Sequence, residues 1–253
     1  MASEKPNKYT APALDKGLDI LEFISKMGVS QSQAEIAAGI DKTPNEIYRM
    51  LVCLEERGYL IRSENTGKYR LSLKMYSLSH IHSPFDELKR VAQAPMQQLS
   101  ESSRHACHLS VIVNNQLMII SQTRSPEPIS LSVEEGTLFS LSLTTSGKVL
   151  LSMIEEKKRL EILKRDEHYP KFSKKEKESF LKDLYSIRSK GYCNSLSRIT
   201  GGVADLAVPI GTNNTEIVSA LAVSSFTSEL ATNESLLNHM LLAKSSIDKL
   251  LGI

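Results

Sequence analysis

Four small residues, Thr144-Thr145-Ser146-Gly147, form the clearest candidate ligand site in this chain of 253 residues. They precede an apolar run with helical spacing, so free amides at a helix N-terminus and several hydroxyls are expected to converge there. Unpaired amides and the helix dipole both favour negative charge. The chemistry expected at this position is therefore the binding of a small anion.

Two histidine-containing clusters, His80-Ile81-His82 and His105-Ala106-Cys107-His108, are considered as metal sites because imidazole and thiolate are good ligands. Neither cluster has a partner at a standard ligand spacing. Alternation along a strand would also turn Cys107 and His108 to opposite faces. No metal or other cofactor is expected, although contact between His108 and the ligand stays open.

No residue pattern in the chain is typical of catalysis. Ser146-Gly147-Lys148 lacks the spacing of a Ser-x-x-Lys dyad and the upstream glycine of a phosphate loop. There is no Gly-x-Ser-x-Gly elbow, and no paired carboxylates stand out. The protein is therefore not expected to be an enzyme.

A second group of residues could bind DNA, and it depends on the elements predicted over residues 30–73. A supporting helix over residues 14–27 is followed by a short helix that begins with the capping box Ser32-Gln33-Ala34-Glu35. Thr43-Pro44-Asn45-Glu46 begins the next helix, and strands at residues 59–62 and 69–72 form a hairpin. This order is typical of a winged helix-turn-helix, which places its second motif helix in the major groove.

The residues expected to contact DNA are polar or basic and lie on that second motif helix, just before it, or on the wing. They are Lys42, Thr43, Asn45, Tyr48, Arg49, Lys68 and Arg70. Helix residues would read base edges, and the wing would hold phosphates. For any single residue, an ordinary solvated surface position is an equally good interpretation. The inward stripe of the helix is predicted to be Ile47, Met50, Leu51 and Leu54.

Composition restricts the class of protein only broadly. The formal net charge of +2 is too small to indicate nucleic-acid binding, so attraction to DNA must come from local clusters. The 3 cysteines (Cys53, Cys107 and Cys193) are far apart, which argues against disulfides and zinc and favours the cytoplasm. Cys53 is expected to pack inside the motif. No apolar run reaches about 18 residues, and the polar start lacks a signal-peptide core, so neither a membrane nor export is expected.

The rest of the chain predicts an α+β domain with a largely antiparallel sheet, because paired strands alternate with helices. Asn114-Asn115 suits a tight hairpin turn. Strands are predicted at residues 108–113, 116–122, 129–133, 203–210 and 217–224. Helices are predicted at residues 85–103, 146–154, 157–163, 174–190 and 233–251. The predicted domains are residues 1–73 (winged helix-turn-helix), 74–84 (linker helix) and 85–253 (the α+β domain).

The chain resembles the IclR family of bacterial transcriptional regulators along nearly its whole length. The resemblance is carried by Pro12-Ala13-Leu14-Asp15-Lys16-Gly17-Leu18, Glu46-Ile47-Tyr48-Arg49-Met50-Leu51, Leu54-Glu55-Glu56-Arg57-Gly58-Tyr59, Gly67-Lys68-Tyr69-Arg70-Leu71, Thr144-Thr145-Ser146-Gly147-Lys148-Val149-Leu150-Leu151, Arg188-Ser189-Lys190-Gly191-Tyr192 and Leu206-Ala207-Val208-Pro209-Ile210. It implies a winged helix that dimerises, a linker helix and a GAF-like effector domain. It also implies a homodimer or homotetramer on a palindromic double-stranded operator. A small organic acid would alter DNA affinity or contact with RNA polymerase.

The resemblance also implies an effector pocket. Its polar positions fall on Thr145, Ser146, Ser195, Asp205, Ala222 and Ser224, and its apolar positions fall on Leu131, Phe139 and Val203. Asp205 stands where the family frequently has a cysteine, and the loop with Ser195 and Arg198 is usually acidic. Arg198 could pair with a ligand carboxylate or neutralise Asp205, and the second interpretation is preferred. These exchanges leave the identity of the ligand open.

Two other functions stay open beside a ligand-responsive DNA-binding regulator. One is an enzyme of small-molecule metabolism whose N-terminal module serves only for dimerisation. The other is an interaction module whose pocket no longer binds a ligand. DNA binding, turnover of a carboxylate and a ligand screen would separate the three.

Overall fold

The computed structural model describes residues 11–81, 85–211, 219–227 and 234–252. The chain forms two compact units, Met1–Ser83 and Pro84–Ile253. Several predicted features fall partly outside the described residues: His82, positions 212–214 of the predicted turn, positions 217–218 of the last strand and Asn233 at the start of the last helix.

The N-terminal unit is a helix-turn-helix with a two-stranded wing, as the sequence predicts. Its elements are α1 (Pro12–Met27), α2 (Gln33–Gly39), α3 (Pro44–Glu56), β1 (Leu60–Arg62), β2 (Tyr69–Leu71) and α4 (Lys74–Ile81). The strands β1 and β2 pair antiparallel. Local signals begin and end the helices. The Ser32 amide donates to the Glu35 carboxylate at 2.6 Å, and Gly28 ends α1 at φ +66°.

The inward face of α3 holds this unit together. Ile47 and Leu51 are fully buried in a cluster with residues of α1, α2 and the wing, and Met50 and Leu54 pack partly buried against it. The expectation that Cys53 packs is wrong, because its side chain is exposed. Cys53 follows Arg49 by four positions, and that spacing puts both residues on the outward face of the helix.

The C-terminal unit is built on a six-stranded sheet with the strand order β5-β4-β3-β8-β7-β6. The strands are β3 (Cys107–Val113), β4 (Gln116–Thr123), β5 (Leu138–Ser140), β6 (Cys193–Leu196), β7 (Val203–Ile210) and β8 (Ser219–Phe226). All recorded pairings are antiparallel, which confirms the predicted α+β class. The helices are α5 (Asp86–Ser103), α6 (Thr145–Met153), α7 (Glu156–Arg165), α8 (Lys174–Lys190) and α9 (Glu234–Leu250).

The two faces of this sheet have separate cores. Leu109 of β3 and Val208 of β7 pack with residues of α5 and α9 on one face. Ile119 of β4 and Ala222 of β8 pack with residues of α6, α7 and α8 on the other. Strand side chains alternate between faces, so the register decides which residues α6 meets.

The predicted hairpin turn has the expected backbone. Asn114 and Asn115 have φ of +50° and +63°, a conformation that suits the twist of the flanking strands. Replacing Asn115 by alanine is expected to lower the free energy of unfolding by about 1 kcal/mol, because alanine has no local hydrogen bond to offset positive φ. Asn115→Gly should not lower it. Urea unfolding of both variants is the measurement, and equal losses would contradict this account.

The predicted strand at residues 129–133 is absent. These residues are irregular, and Ile129 is 82% exposed, so it has no sheet face to pack on. Pro126 and Pro128 precede it and cannot donate to a strand ladder. The sheet edge is instead β5, and β6 is a further strand that the pattern did not show. No helix within the described ranges is both long and apolar enough to cross a membrane.

Candidate functional site

The outward face of α3 carries three of the residues predicted to contact DNA. Asn45, Tyr48 and Arg49 are exposed, and Tyr48 is 54% accessible. They are free for contact because the hydrophobic stripe of the helix faces the opposite side. The exposed Tyr48 side chain and the Arg49 guanidinium can both contact base edges and sugars of DNA.

The first turn of α3 is organised by Glu46. The backbone amide and hydroxyl of Thr43 donate to its carboxylate at 2.8 and 2.9 Å, and Lys16 pairs with it at 3.3 Å. These hydrogen bonds, first that of the Thr43 amide, lower the pKa of Glu46 to about 2. The Glu46 carboxylate is therefore already paired within the protein. At the start of α3, Lys42 is half-buried and Thr43 is exposed.

The exposed cations of the wing differ from those that the sequence predicts. Lys68 is half-buried and pairs with Glu35 of α2 at 3.2 Å, whereas Arg70 is exposed. Arg62 of β1 is also exposed and lies over the Tyr69 ring at 5.5 Å. Arg62 was not among the residues predicted to contact DNA, because it lies in a strand whose pairing with β2 the sequence does not specify.

A cavity of about 140 Å³ lies in the C-terminal unit, between α6 and one face of the sheet. Seven of the predicted effector-binding residues line it: Leu131, Phe139, Thr145, Ser146, Val203, Asp205 and Ser224. Ser195 lies behind this lining and contacts Thr145 through hydroxyls 2.7 Å apart. Ala222 is buried on β8 within the core and is not part of the lining.

The N-terminus of α6 forms one wall of the cavity. Thr144 caps the helix and its hydroxyl accepts from the Gly147 amide at 3.1 Å. The amides of Thr145 and Ser146 belong to the first turn, which has no intrahelical acceptors for them. The Ser146 side chain is 4% exposed and lines the cavity. These groups are donors for a bound molecule.

Asp205 supplies a carboxylate beside that helix end. Its oxygens accept from the Thr145 hydroxyl at 3.2 Å and from the Ser224 hydroxyl at 2.6 Å. Burial raises the pKa of Asp205, and the two hydroxyls oppose that effect. The preferred interpretation that Arg198 neutralises Asp205 is wrong, because Arg198 lies over the Phe172 ring at 5.3 Å.

His108 completes the polar lining from β3. It is 8% exposed and lines the cavity. Burial lowers the pKa of His108 to about 4, so the imidazole is neutral near pH 7. Cys107 lies on the opposite face in the other core, where burial raises its pKa to about 12. Within the described ranges, no cluster of three or more His, Cys, Asp or Glu could hold a metal.

Both units match one known family. The description "IclR helix-turn-helix domain" matches residues 13–64, and "Bacterial transcriptional regulator IclR C-terminal" matches residues 85–248. The chain belongs to the IclR family. It has the helix-turn-helix DNA-binding domain and the effector-binding domain of the IclR transcriptional regulators.

Individual IclR relatives are distant in sequence but cover nearly the whole chain. The regulator XynR of Escherichia coli is 21% identical over 86% of this chain and 87% of its own length. The repressor AllR of Escherichia coli is 22% identical over 87% and 82%. An IclR homologue from Microbacterium hydrocarbonoxydans, complexed with 4-hydroxybenzoate, has a TM-score of 0.78 at 19% identity and covers 94% of this chain and 98% of that one. The Thermotoga maritima IclR has a TM-score of 0.75 at 23% identity, over 95% and 98%.

Asp166 positions the cavity wall of this IclR-family chain, although no sequence signal marked it. It is 4% exposed and accepts from the hydroxyls of Ser140 and Ser142 and from the amides of His168 and Tyr169, at 2.6 to 3.0 Å. The two serines lie in the segment that leads into α6. Burial acts to raise the pKa of Asp166, but these hydrogen bonds together bring it below its ordinary value.

Proposed function

We propose that this protein is an effector-responsive regulator that binds a palindromic operator as a homodimer or homotetramer. A small organic acid in the cavity would change its affinity for DNA or its contact with RNA polymerase. This action on DNA would take place in the cytoplasm. Regulation is proposed rather than catalysis, since the relatives described above bear regulator or repressor names.

The observation that carries the ligand half of this proposal is the pair of largely buried polar side chains that line the cavity beside Asp205. His108 and Ser146 are both more than nine-tenths buried. A molecule that hydrogen-bonds to both side chains inside the cavity would gain net free energy from each of these bonds. A cavity of about 140 Å³ has room for one small ring. The 4-hydroxybenzoate bound by the Microbacterium homologue is a molecule of that class.

The proposed mechanism is allosteric. The ligand would prefer one arrangement of the effector-binding units, and that preference would change the spacing of the two α3 helices in the oligomer. A coupling free energy of about 1 to 3 kcal/mol suffices for a several-fold change in operator affinity.

DNA binding is tested with the upstream region of the protein's own gene. Wild-type protein should retard this fragment, with an affinity that falls steeply as salt rises. A footprint with twofold symmetry would support the palindromic operator. No retardation at low salt would count against the regulatory function.

Replacing Arg49 by alanine is expected to weaken operator binding by about 10- to 100-fold, because an exposed guanidinium on the second motif helix is lost. Fluorescence anisotropy with labelled operator is the measurement. Arg90→Ala is the matched control, since this 75% exposed side chain lies in the other unit and carries the same charge. Equal affinities of both variants would remove Arg49 from the proposed DNA surface.

A further inference from the structure

We propose that the cavity takes up its organic-acid ligand together with one proton, which Asp205 holds in the complex. This inference rests on the proposed function, because it concerns the effector of the same cavity. The inference follows from the position of the Asp205 carboxylate in the cavity and from the charges around that carboxylate.

The carboxylate of Asp205 lies at the helix end that attracts anions. One of its oxygens is 3.2 Å from the hydroxyl of Thr145, the first residue of α6, and the other is 2.6 Å from the hydroxyl of Ser224. The register pairs Asp205 with Ser224 on the sheet face that carries His108 and Ala222. A ligand carboxylate held by the α6 amides would therefore lie close to a second carboxylate.

Among the described residues, no cation in the lining offsets two negative charges. Those that line the cavity include neither lysine nor arginine. Lys148 of α6 pairs with Asp183 of α8 at 3.6 Å, and Arg198, between β6 and β7, stacks on Phe172. From β6, the buried Cys193 thiol contributes no charge, since burial raises its pKa.

The remaining titratable group in the lining is His108 of β3, which is neutral near pH 7 because burial lowers its pKa. It can donate one N–H to a ligand, and Ser146 can donate its hydroxyl. Both groups are more than nine-tenths buried and line the cavity, so they can form hydrogen bonds with a polar occupant. They supply hydrogen bonds but no compensating charge.

Two carboxylates that share a site cannot both stay ionised, and the pKa of one of them rises strongly. Of the two carboxylates, Asp205 is the one whose pKa burial already raises. A protonated Asp205 would donate its O–H to a ligand carboxylate oxygen, so the pair carries a single negative charge. The proton comes from solvent when the ligand binds.

The sign of the pH dependence follows from this exchange. Between the pKa of Asp205 in the free protein and its higher pKa in the complex, each unit of falling pH should tighten binding by about tenfold. Below the free-protein pKa the gain should level off, because Asp205 is then protonated before binding. Above the pKa in the complex, the ligand would bind weakly and without proton uptake.

The experiment uses benzoate, 4-hydroxybenzoate and lactate as probes, first by thermal shift at about pH 6 and about pH 8. The best probe is then titrated calorimetrically in two buffers of different ionisation enthalpy, which reports the protons taken up per ligand. Wild-type protein should take up close to one proton. Asp205→Asn keeps a neutral side chain of the same size, so it should bind at about pH 8 at least tenfold more tightly than wild type, with little pH dependence.

Two further variants separate this assignment from its alternatives. Glu87→Gln removes the same charge from a 74% exposed position outside the lining and should keep the wild-type pH dependence. His108→Gln should also keep it. If the dependence disappears in His108→Gln and persists in Asp205→Asn, the proton belongs to the imidazole and the proposal is overturned.

The remaining outcomes distinguish this inference from the proposed function. Carboxylate binding that is independent of pH in wild type, with no proton uptake, overturns the inference and leaves the organic-acid effector intact. If no probe binds to wild type or Asp205→Asn at either pH, the organic-acid effector fails and the inference falls with it. Operator binding is measured separately and is unaffected by either result.

Discussion

Replacing Gly147 by alanine is expected to lower the free energy of unfolding of the C-terminal unit by about 3 kcal/mol. A Cβ on Gly147 would collide with the backbone carbonyl oxygen of Leu141, and it would lie 2.7 Å from the Leu141 Cα and 2.6 Å from the Thr144 hydroxyl oxygen. Backbone atoms cannot rotate away as the end of a side chain can. The first turn of α6 would have to move, and it carries Thr145 and Ser146 at the cavity wall.

Urea unfolding and ligand titration together test this prediction, since ligand binding should be lost in the same variant. Gly17→Ala is the matched control. Gly17 lies inside α1 with no atom near its Cβ position, so alanine there should raise stability by about 0.5 to 1 kcal/mol. If Gly147→Ala binds the ligand with wild-type affinity, the close approach of Gly147 to the Leu141 backbone is not needed for ligand binding.

Replacing Asp166 by asparagine is expected to lower the free energy of unfolding by about 3 kcal/mol, because buried donors lose a charged acceptor. The carboxylate accepts from hydroxyls of Ser140 and Ser142 and from amides of His168 and Tyr169. An amide of the same size accepts through one oxygen only, and its NH₂ group would face donors. The segment before α6 would loosen, so ligand affinity should fall as well.

The pH dependence of this effect has a defined sign. The pKa of Asp166 is lower in the folded protein than its ordinary value of 3.8. Its contribution is therefore fully present above that value and is lost as pH falls through the lower, folded-state pKa. The stability difference between wild type and Asp166→Asn should be constant near neutral pH and shrink below about pH 4.

Glu87→Gln is the control for Asp166→Asn, since it makes the same carboxylate-to-amide change at a side chain that is 74% exposed. It should change the free energy of unfolding by about 0.5 kcal/mol or less. Urea midpoints at several pH values are the measurement. A loss for Asp166→Asn as small as that for Glu87→Gln would contradict the positioning role of Asp166.

Local signals in the sequence were sufficient for the DNA-binding unit. The capping boxes at Ser32 and Thr43 and the positive-φ glycine at Gly28 act within one helical turn, so they can be read without knowing the rest of the fold. The same periodicity separated buried Ile47 from exposed Arg49. The four-residue spacing from Arg49 also places Cys53 on the outward face.

The alternation of apolar and polar residues gave a wrong strand prediction where the chain does not pair with the sheet. Residues 129–133 alternate apolar and polar side chains as a strand does, yet Leu131 and Val133 contribute to the cavity lining from irregular backbone. Alternation shows that every second side chain seeks burial, but it does not show which surface buries it. The strands β5 and β6 are short, with 3 and 4 residues, and too short for the pattern to be read.

Cap residues, turn residues and hydrophobic periodicity were enough to determine the helices, the Asn114-Asn115 hairpin and the α+β class, because each acts between residues that are close along the chain. The composition of the cavity depended on the order and register of the strands. His108, Thr145, Asp205 and Ser224 come from β3, α6, β7 and β8, and no short-range pattern specifies that these elements are neighbours. The neutral state of His108, the raised pKa of Asp205 and the support from Asp166 arise from burial and from contacts between distant segments, so they became visible once the chain was folded.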